Sequence, residues 1–235
     1  MTDKVTIEEL GGRGDGVAYL NGKQLFVPFS APGDVADVKV NGSKARLRHI
    51  HQNSPHRVDA QCKHFTKCGG CSVQHIDEHY YRTWKAGLVK TALENQGLED
   101  IDVRPLEMSP LHSRRRTTFQ VIGRGGGDIV LGYAEKGSHN LIDLQECPIL
   151  VTEIADFIAP LKVFLKKLLD KKQKMVIQIT KGDNGLDVVF KSKGEVDLNL
   201  RMDLAAFAQA NDLARISWFD TSLKKPYFEM LAERK

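Results

Sequence analysis

The stretch that most constrains this chain runs from Cys62 to His75, where Cys62, Cys68 and Cys71 fall in one short run around Gly69 and Gly70. The remaining cysteine, Cys147, stands far downstream and is followed by Pro148. Five residues separate Cys62 from Cys68, two separate Cys68 from Cys71, and seventy-five separate Cys71 from Cys147. A zinc site is usually built from two short pairs, each a compact knuckle around a tetrahedral ion. Three ligands in a local run with a remote Cys-Pro as the fourth is the habit of an iron–sulfur cluster, which needs one thiolate at each of four corners. Gly69 and Gly70 have no Cβ, so the backbone can wrap closely and aim its N–H groups at sulfur. The spacing therefore predicts a [4Fe–4S] cluster on Cys62, Cys68, Cys71 and Cys147. Zinc is the main rival and a disulfide pair the third possibility. His64 and His75 lie close enough in sequence to replace a ligand.

Thiols bind metal only where they stay reduced. The N-terminal Met-Thr-Asp-Lys has no apolar leader and no stretch reaches membrane-span length, so the expected location is the cytoplasm, with no membrane partner. A hydrophobic fraction of 41% can build a core, and a net charge of +4 is only weak evidence for a nucleic-acid partner.

Before the cysteines, short alternating strands are punctuated by turn signals. Val17 to Leu20 and Gln24 to Val27 flank Asn21-Gly22, Val35 to Val40 ends at Asn41-Gly42, and residues 44–50 form a basic alternating strand. This pattern predicts a small β-barrel over residues 1–58. The glycine run from Gly11 to Gly16 is followed by a strand and not a helix, so it reads as a turn rather than a phosphate loop. A helix is expected over residues 77–96, with Tyr80, Tyr81 and Trp84 packing into a core rather than stacking on bases. Downstream, the run Arg114-Arg115-Arg116 enters a strand in which Arg114 and Arg116 would share one side and Arg115 the other. Guanidinium groups so placed suit phosphate oxygens and unpaired bases. An amphipathic helix is expected over residues 152–170, a hairpin around Asp183-Asn-Gly185, a helix over residues 201–212 and a strand over residues 214–218.

Leu10-Gly-Gly-Arg-Gly-Asp-Gly16, Val27-Pro28 and Pro32-Gly-Asp34 together resemble a TRAM domain. Cys68-Gly-Gly-Cys71 with Gln74-His75, then the arginine run, Leu131-Gly-Tyr133, His139 and Cys147-Pro148, resemble the bacterial RNA 5-methyluridine methyltransferases, the 23S ribosomal RNA branch above all. The resemblance implies an α+β chain: an OB-like barrel at 1–58, the iron–sulfur motif and helix at 59–97, and a central RNA-binding domain at 98–235. It implies RNA, by resemblance 23S rRNA, as partner, with Arg114, Arg115 and Arg116 contacting it. S-adenosylmethionine would serve only the full-length family enzyme. No catalytic cysteine, base or cofactor-binding glycines are matched, because the four cysteines are already assigned. The expectation is thus a piece of a longer enzyme without its Rossmann-like methyltransferase domain, inactive by itself. The alternative is a stand-alone RNA-binding protein with a structural cluster or zinc.

Overall fold

The computed structural model describes residues 2–222 and 227–233. They form two compact units, one of the residues up to Thr66 with Cys71–Met108, the other of Lys67–Gly70 with the described residues from Ser109 onward.

The first unit carries β1 (Asp3–Thr6), β2 (Glu9–Leu10), β3 (Gly16–Leu20), β4 (Lys23–Val27), β5 (Val35–Asn41) and β6 (Lys44–Gln52). They form one sheet in the order β1-β5-β6-β4-β3-β2, antiparallel except for a parallel contact between β4 and β6. The two ends of that order, β1 and β2, are joined through Ile7 and Glu8 alone, so the sheet must curl back on itself. Alternate residues point inward as the period-two pattern demands, burying Val5, Ile7, Ala18, Leu25, Val27, Val38 and Ala45. Between β3 and β4, Asn21 and Gly22 both take positive φ (50° and 74°), the backbone of a type I′ hairpin turn.

A helix, α1 (Glu78–Glu94), follows the cysteines. The Asp77 side chain caps it by accepting from Tyr80 N–H at 2.8 Å. Its aromatic face packs Tyr80, Tyr81 and Trp84 against Leu10, Ala31 and Ile76, and the Trp84 indole donates to the Leu10 carbonyl at 3.1 Å. These rings are packing residues, as the sequence led us to expect.

The second unit is a six-stranded sheet in the order β12-β11-β10-β9-β7-β8. Its strands are β7 (Arg116–Gly125), β8 (Asp128–Gly132), β9 (Lys174–Gly182), β10 (Gly185–Ser192), β11 (Arg215–Asp220) and β12 (Tyr227–Glu233). Its helices are α2 (Thr152–Leu168) and α3 (Leu198–Ala210), and α3 makes the crossover that lets β10 and β11 pair in parallel. Phe119, Ile177, Val188, Phe190 and Ile216 line one sheet face, buried in one core with Ile154, Phe157, Leu161 and Leu165 of α2 and Leu204 of α3. β12 falls where the sequence had suggested only a polar tail. Among the described residues no helix is long and apolar enough to cross a membrane.

Gly132 shows how tightly this unit is closed. Leu144 N–H bonds to the Leu131 carbonyl at 2.8 Å and Ile142 N–H to the Tyr133 carbonyl at 2.9 Å, so the chain returns directly over the end of β8. A Cβ on Gly132 would lie 2.2 Å from the Ile142 carbonyl oxygen. Gly132→Ala is therefore expected to cost about 3 kcal/mol through forced backbone movement, read as a lower midpoint in urea denaturation.

Candidate nucleic-acid interface and cysteine loop

The arginine run sits where the second sheet begins. Arg116 is the first residue of β7, and Arg114 and Arg115 precede it. Arg114 is held by backbone bonds, its N–H donating to the Ile149 carbonyl at 2.9 Å and its carbonyl accepting from Val151 at 3.1 Å. Lys181 N–H donates to the Arg115 carbonyl at 2.7 Å. Strict alternation would have turned one of the three inward. The strand starts only at Arg116, however, and inward burial begins with Thr117, so all three arginines are exposed.

Arg115 donates to the Lys181 carbonyl at 3.1 Å and to the Asp183 carboxylate at 2.8 Å. Both partners of that ion pair face solvent, so it stabilises little and an incoming phosphate can displace the carboxylate. The hydrogen bond and positive charge of Arg115 hold the Asp183 carboxyl below its ordinary value. Arg116 Nε donates to Thr180 Oγ1 at 3.3 Å. The geometry thus holds the Arg115 and Arg116 stems against β9 beside Arg114. A neighbouring pocket of about 490 Å³ is lined by Glu153, Asp156, Asp183 and Asp212 as well as Lys181. Those carboxylates disfavour an anion inside it, so a phosphate would be better received by the exposed arginines than by this pocket.

The cysteines fall in both units. Cys62 and Cys71 are half-buried in the first, where Cys62 N–H donates to Gln74 Oε1 at 3.2 Å. Cys68 and Cys147 are buried in the second. There residues 67–69 run beside 134–136, with Gly69 N–H donating to the Ala134 carbonyl at 2.9 Å and Lys136 N–H to the Lys67 carbonyl at 3.0 Å. A Cβ on Gly69 would lie 2.8 Å from the Ala134 oxygen, so glycine permits this approach. Gly70 N–H points at Cys68 Sγ at 3.4 Å. The Tyr133 hydroxyl lies 2.6 Å from Thr117 Oγ1. Burial pushes the Tyr133 phenol up to about 12, and the negative charge available to Cys147 and Cys68 adds to the shift. Cys68 and the remote Cys147 are thus both near enough to influence the Tyr133 phenol.

Among the described residues, no group of three or more His, Cys, Asp or Glu side chains is arranged as a metal-ion site. The described residues thus give the metal centre expected from spacing no structural support. The sequence reading gave no role to Tyr133, the buried phenol near Cys68 and Cys147; its signal was its place in Leu131-Gly-Tyr133.

Residues 4–50 match the family model of the tRNA (uracil(54)-C(5))-methyltransferase TRAM domain. An uncharacterized RNA methyltransferase of Brucella suis biovar 1 (strain 1330) is 36% identical over 216 residues, covering 92% of this chain and 52% of the relative. A 23S rRNA (uracil(1939)-C(5))-methyltransferase of Pectobacterium carotovorum subsp. carotovorum is 32% identical over 188 residues, covering 77% of this chain and 42% of the relative. The chain thus spans about half the length of the curated relatives it matches. Among solved structures, the Pyrococcus abyssi tRNA (uracil-54, C5)-methyltransferase in complex with S-adenosyl-L-homocysteine superposes with a TM-score of 0.66 at 23% identity, over 94% of this chain and 52% of that one.

These likenesses support the RNA uracil-C5 methyltransferase family. They also correct the fold expected from sequence, an α+β pairing of OB-like barrel and central domain with the methyltransferase fold absent. Both sheets are mixed, each with one parallel pairing. Nearly the whole chain follows a methyltransferase chain over the half of it that is covered. Composition and motif spacing could not reveal this, because the cofactor-binding fingerprint sought in the sequence is a local signal and the likeness lies in the arrangement of strands.

Proposed function

We propose that this chain holds RNA for S-adenosylmethionine-dependent methylation of uracil C5, with 23S ribosomal RNA as substrate, in the cytoplasm. The observation that carries the reading is the TRAM match at residues 4–50, continuing into likeness to RNA methyltransferases over most of the chain. In this reading residues 1–58 and the arginine-bearing segment 98–235 grip RNA, and residues 59–97 carry the cysteine loop. The donor is inferred from the Pyrococcus abyssi chain, whose structure contains S-adenosyl-L-homocysteine; no residue here is assigned to hold it.

Arg114, Arg115 and Arg116 contribute fixed positive charge at the start of β7, positioning backbone phosphates rather than reading bases. Cys62, Cys68, Cys71 and Cys147 are proposed as ligands of a [4Fe–4S] cluster. The support is their three-plus-one spacing and the burial of both Cys68 and Cys147 in the second unit. When bound, the cluster would serve as a structural cross-link between segments remote in sequence.

RNA binding by the intact chain tests the reading. Arg114→Ala, Arg115→Ala and Arg116→Ala combined should weaken binding and reduce the slope of log K against log salt by about 2, three phosphate contacts at about 0.7 each. An unchanged slope removes the arginines from the interface. Failure of the unaltered chain to bind RNA at low salt sinks the whole reading.

A further inference from the structure

The β5–β6 hairpin of the first unit presents an exposed basic face that the arginine run does not account for. Alternation puts Asp37, Lys39 and Asn41 of β5 on the outer side, with Lys44, Arg46 and His49 opposite on β6 and Lys4 of β1 beside Asp37. Two bulges add to it. Asp37 pairs with His49 but Val38 with Leu47, leaving Arg48 extra; Ala36 pairs with Ile50 but Val35 with Gln52, leaving His51 extra. Bulges re-aim side chains, and here both extra residues are exposed.

Lys4, Lys39, Lys44, Arg46 and Arg48 are all exposed. Among the described residues none of them forms an ion pair. The one carboxylate at these positions, Asp37, is engaged by His51 Nε2 at 3.0 Å. Lys39 and Arg46 stand directly opposite each other in the register. Like charges so placed destabilise a sheet, and an acidic residue at either position would have relieved this. Five cations along a strand face about 27 Å long match a run of phosphates, and polyanion contact offsets their mutual repulsion.

We propose that the outer face of β5 and β6 is a second RNA-backbone track, which Lys39, Lys44, Arg46 and Arg48 hold by phosphate contact without base readout. The proposal rests on the RNA-holding reading above and deepens it, naming the face and the cations by which residues 1–58 hold the backbone. The bulges at Arg48 and His51 put extra side chains on that surface, and the rigid hairpin fixes the spacing of the cations, so little side-chain ordering beyond the lysine and arginine tips is needed on binding.

The test uses the intact chain and a structured RNA fragment. The combined variant K39Q/K44Q/R46Q/R48Q should lower the salt slope by about 2–3, four contacts at about 0.7 each, and weaken binding at least tenfold near 0.1 M salt. Lys39→Glu alone, which turns the opposed like charges into an opposite pair, should leave the melting temperature unchanged or raised while lowering RNA affinity. That single variant carries the test if the fourfold variant does not fold. Photo-crosslinked RNA should map to peptides within residues 37–52. If the unaltered chain binds RNA and both variants keep its affinity and slope, the track is wrong while the broader reading stands. Loss of binding to anionic vesicles with RNA binding intact would reassign the face to a membrane surface and overturn the proposal. No RNA binding by the unaltered chain would instead fail the parent reading.

Discussion

Replacing Asp34 with alanine is expected to destabilise the first unit by about 3–5 kcal/mol, the cost of breaking a buried ion pair. Asp34 is fully buried. One carboxylate oxygen accepts from Ala31 N–H at 2.7 Å and the other from Ser54 N–H at 2.8 Å, and the Arg57 guanidinium engages both. Arg57 also donates to the Phe29 carbonyl at 3.1 Å. One side chain thus ties the corner after β4, the entry to β5 and the segment beyond β6. Burial opposes the charged form and is the largest single influence, but the Arg57 bond, the two backbone N–H bonds and the Arg57 charge outweigh it, so the carboxyl lies below its ordinary value. The sign follows. A depressed folded pKa contributes stability that is present above the unfolded value and lost as pH falls through the folded one. Wild-type stability should therefore decline below about pH 4, and the Asp34→Ala variant should show a flatter decline. Chemical denaturation at pH 7 and pH 3 measures both effects; equal losses at the two pH values would refute the ionised-hub account.

That hub also marks where sequence reasoning runs out. Local chemistry was legible: Asn21-Gly22 takes the two positive φ values its hairpin needs, and Asp77 caps a helix at the expected place. The apolar stripe of Ile154, Phe157, Ile158, Leu161 and Leu165 is buried as its periodicity implied. Contacts between distant segments were not legible. Nothing near Asp34 announces that Ser54 and Arg57 will meet it. β12 exists because Tyr227 to Glu233 find an open edge at β11, a register decision that the polar tail conceals. The exposure of Arg115 depends on where β7 starts, and strand ends are set by neighbouring strands rather than by the arginines themselves. In the candidate site, spacing suggested that Cys147 would join the local cysteines, but the burial of Tyr133 near them could not be read without the packing of the β8 end.

Cys147→Ser should abolish iron and acid-labile sulfide in chain purified without oxygen, from about four of each per polypeptide to near zero. The argument turns on separating two roles for one buried thiol. Cys147 sits in the core of the second unit with Leu144 and Leu150. As a small buried hydrophobe alone, it would yield a modest loss of stability on replacement, because serine buries an extra hydroxyl and alanine leaves a small void. In that case Cys147→Ala and Cys147→Ser would differ from each other, and Cys68→Ala would behave independently. If Cys147 is a ligand, alanine and serine at 147, and alanine at 62, 68 or 71, should all lose the iron, because a cubane needs every corner held. Each should lower the melting temperature of the iron-loaded chain to that of the metal-free one, since binding energy of a structural centre is folding energy. One zinc per chain without sulfide would replace the cluster by a tetrahedral ion on the same thiols. Neither metal bound, with unchanged melting in all the alanine variants, would return the three-plus-one spacing to packing alone and leave the RNA-holding reading to stand on its arginines and its TRAM segment.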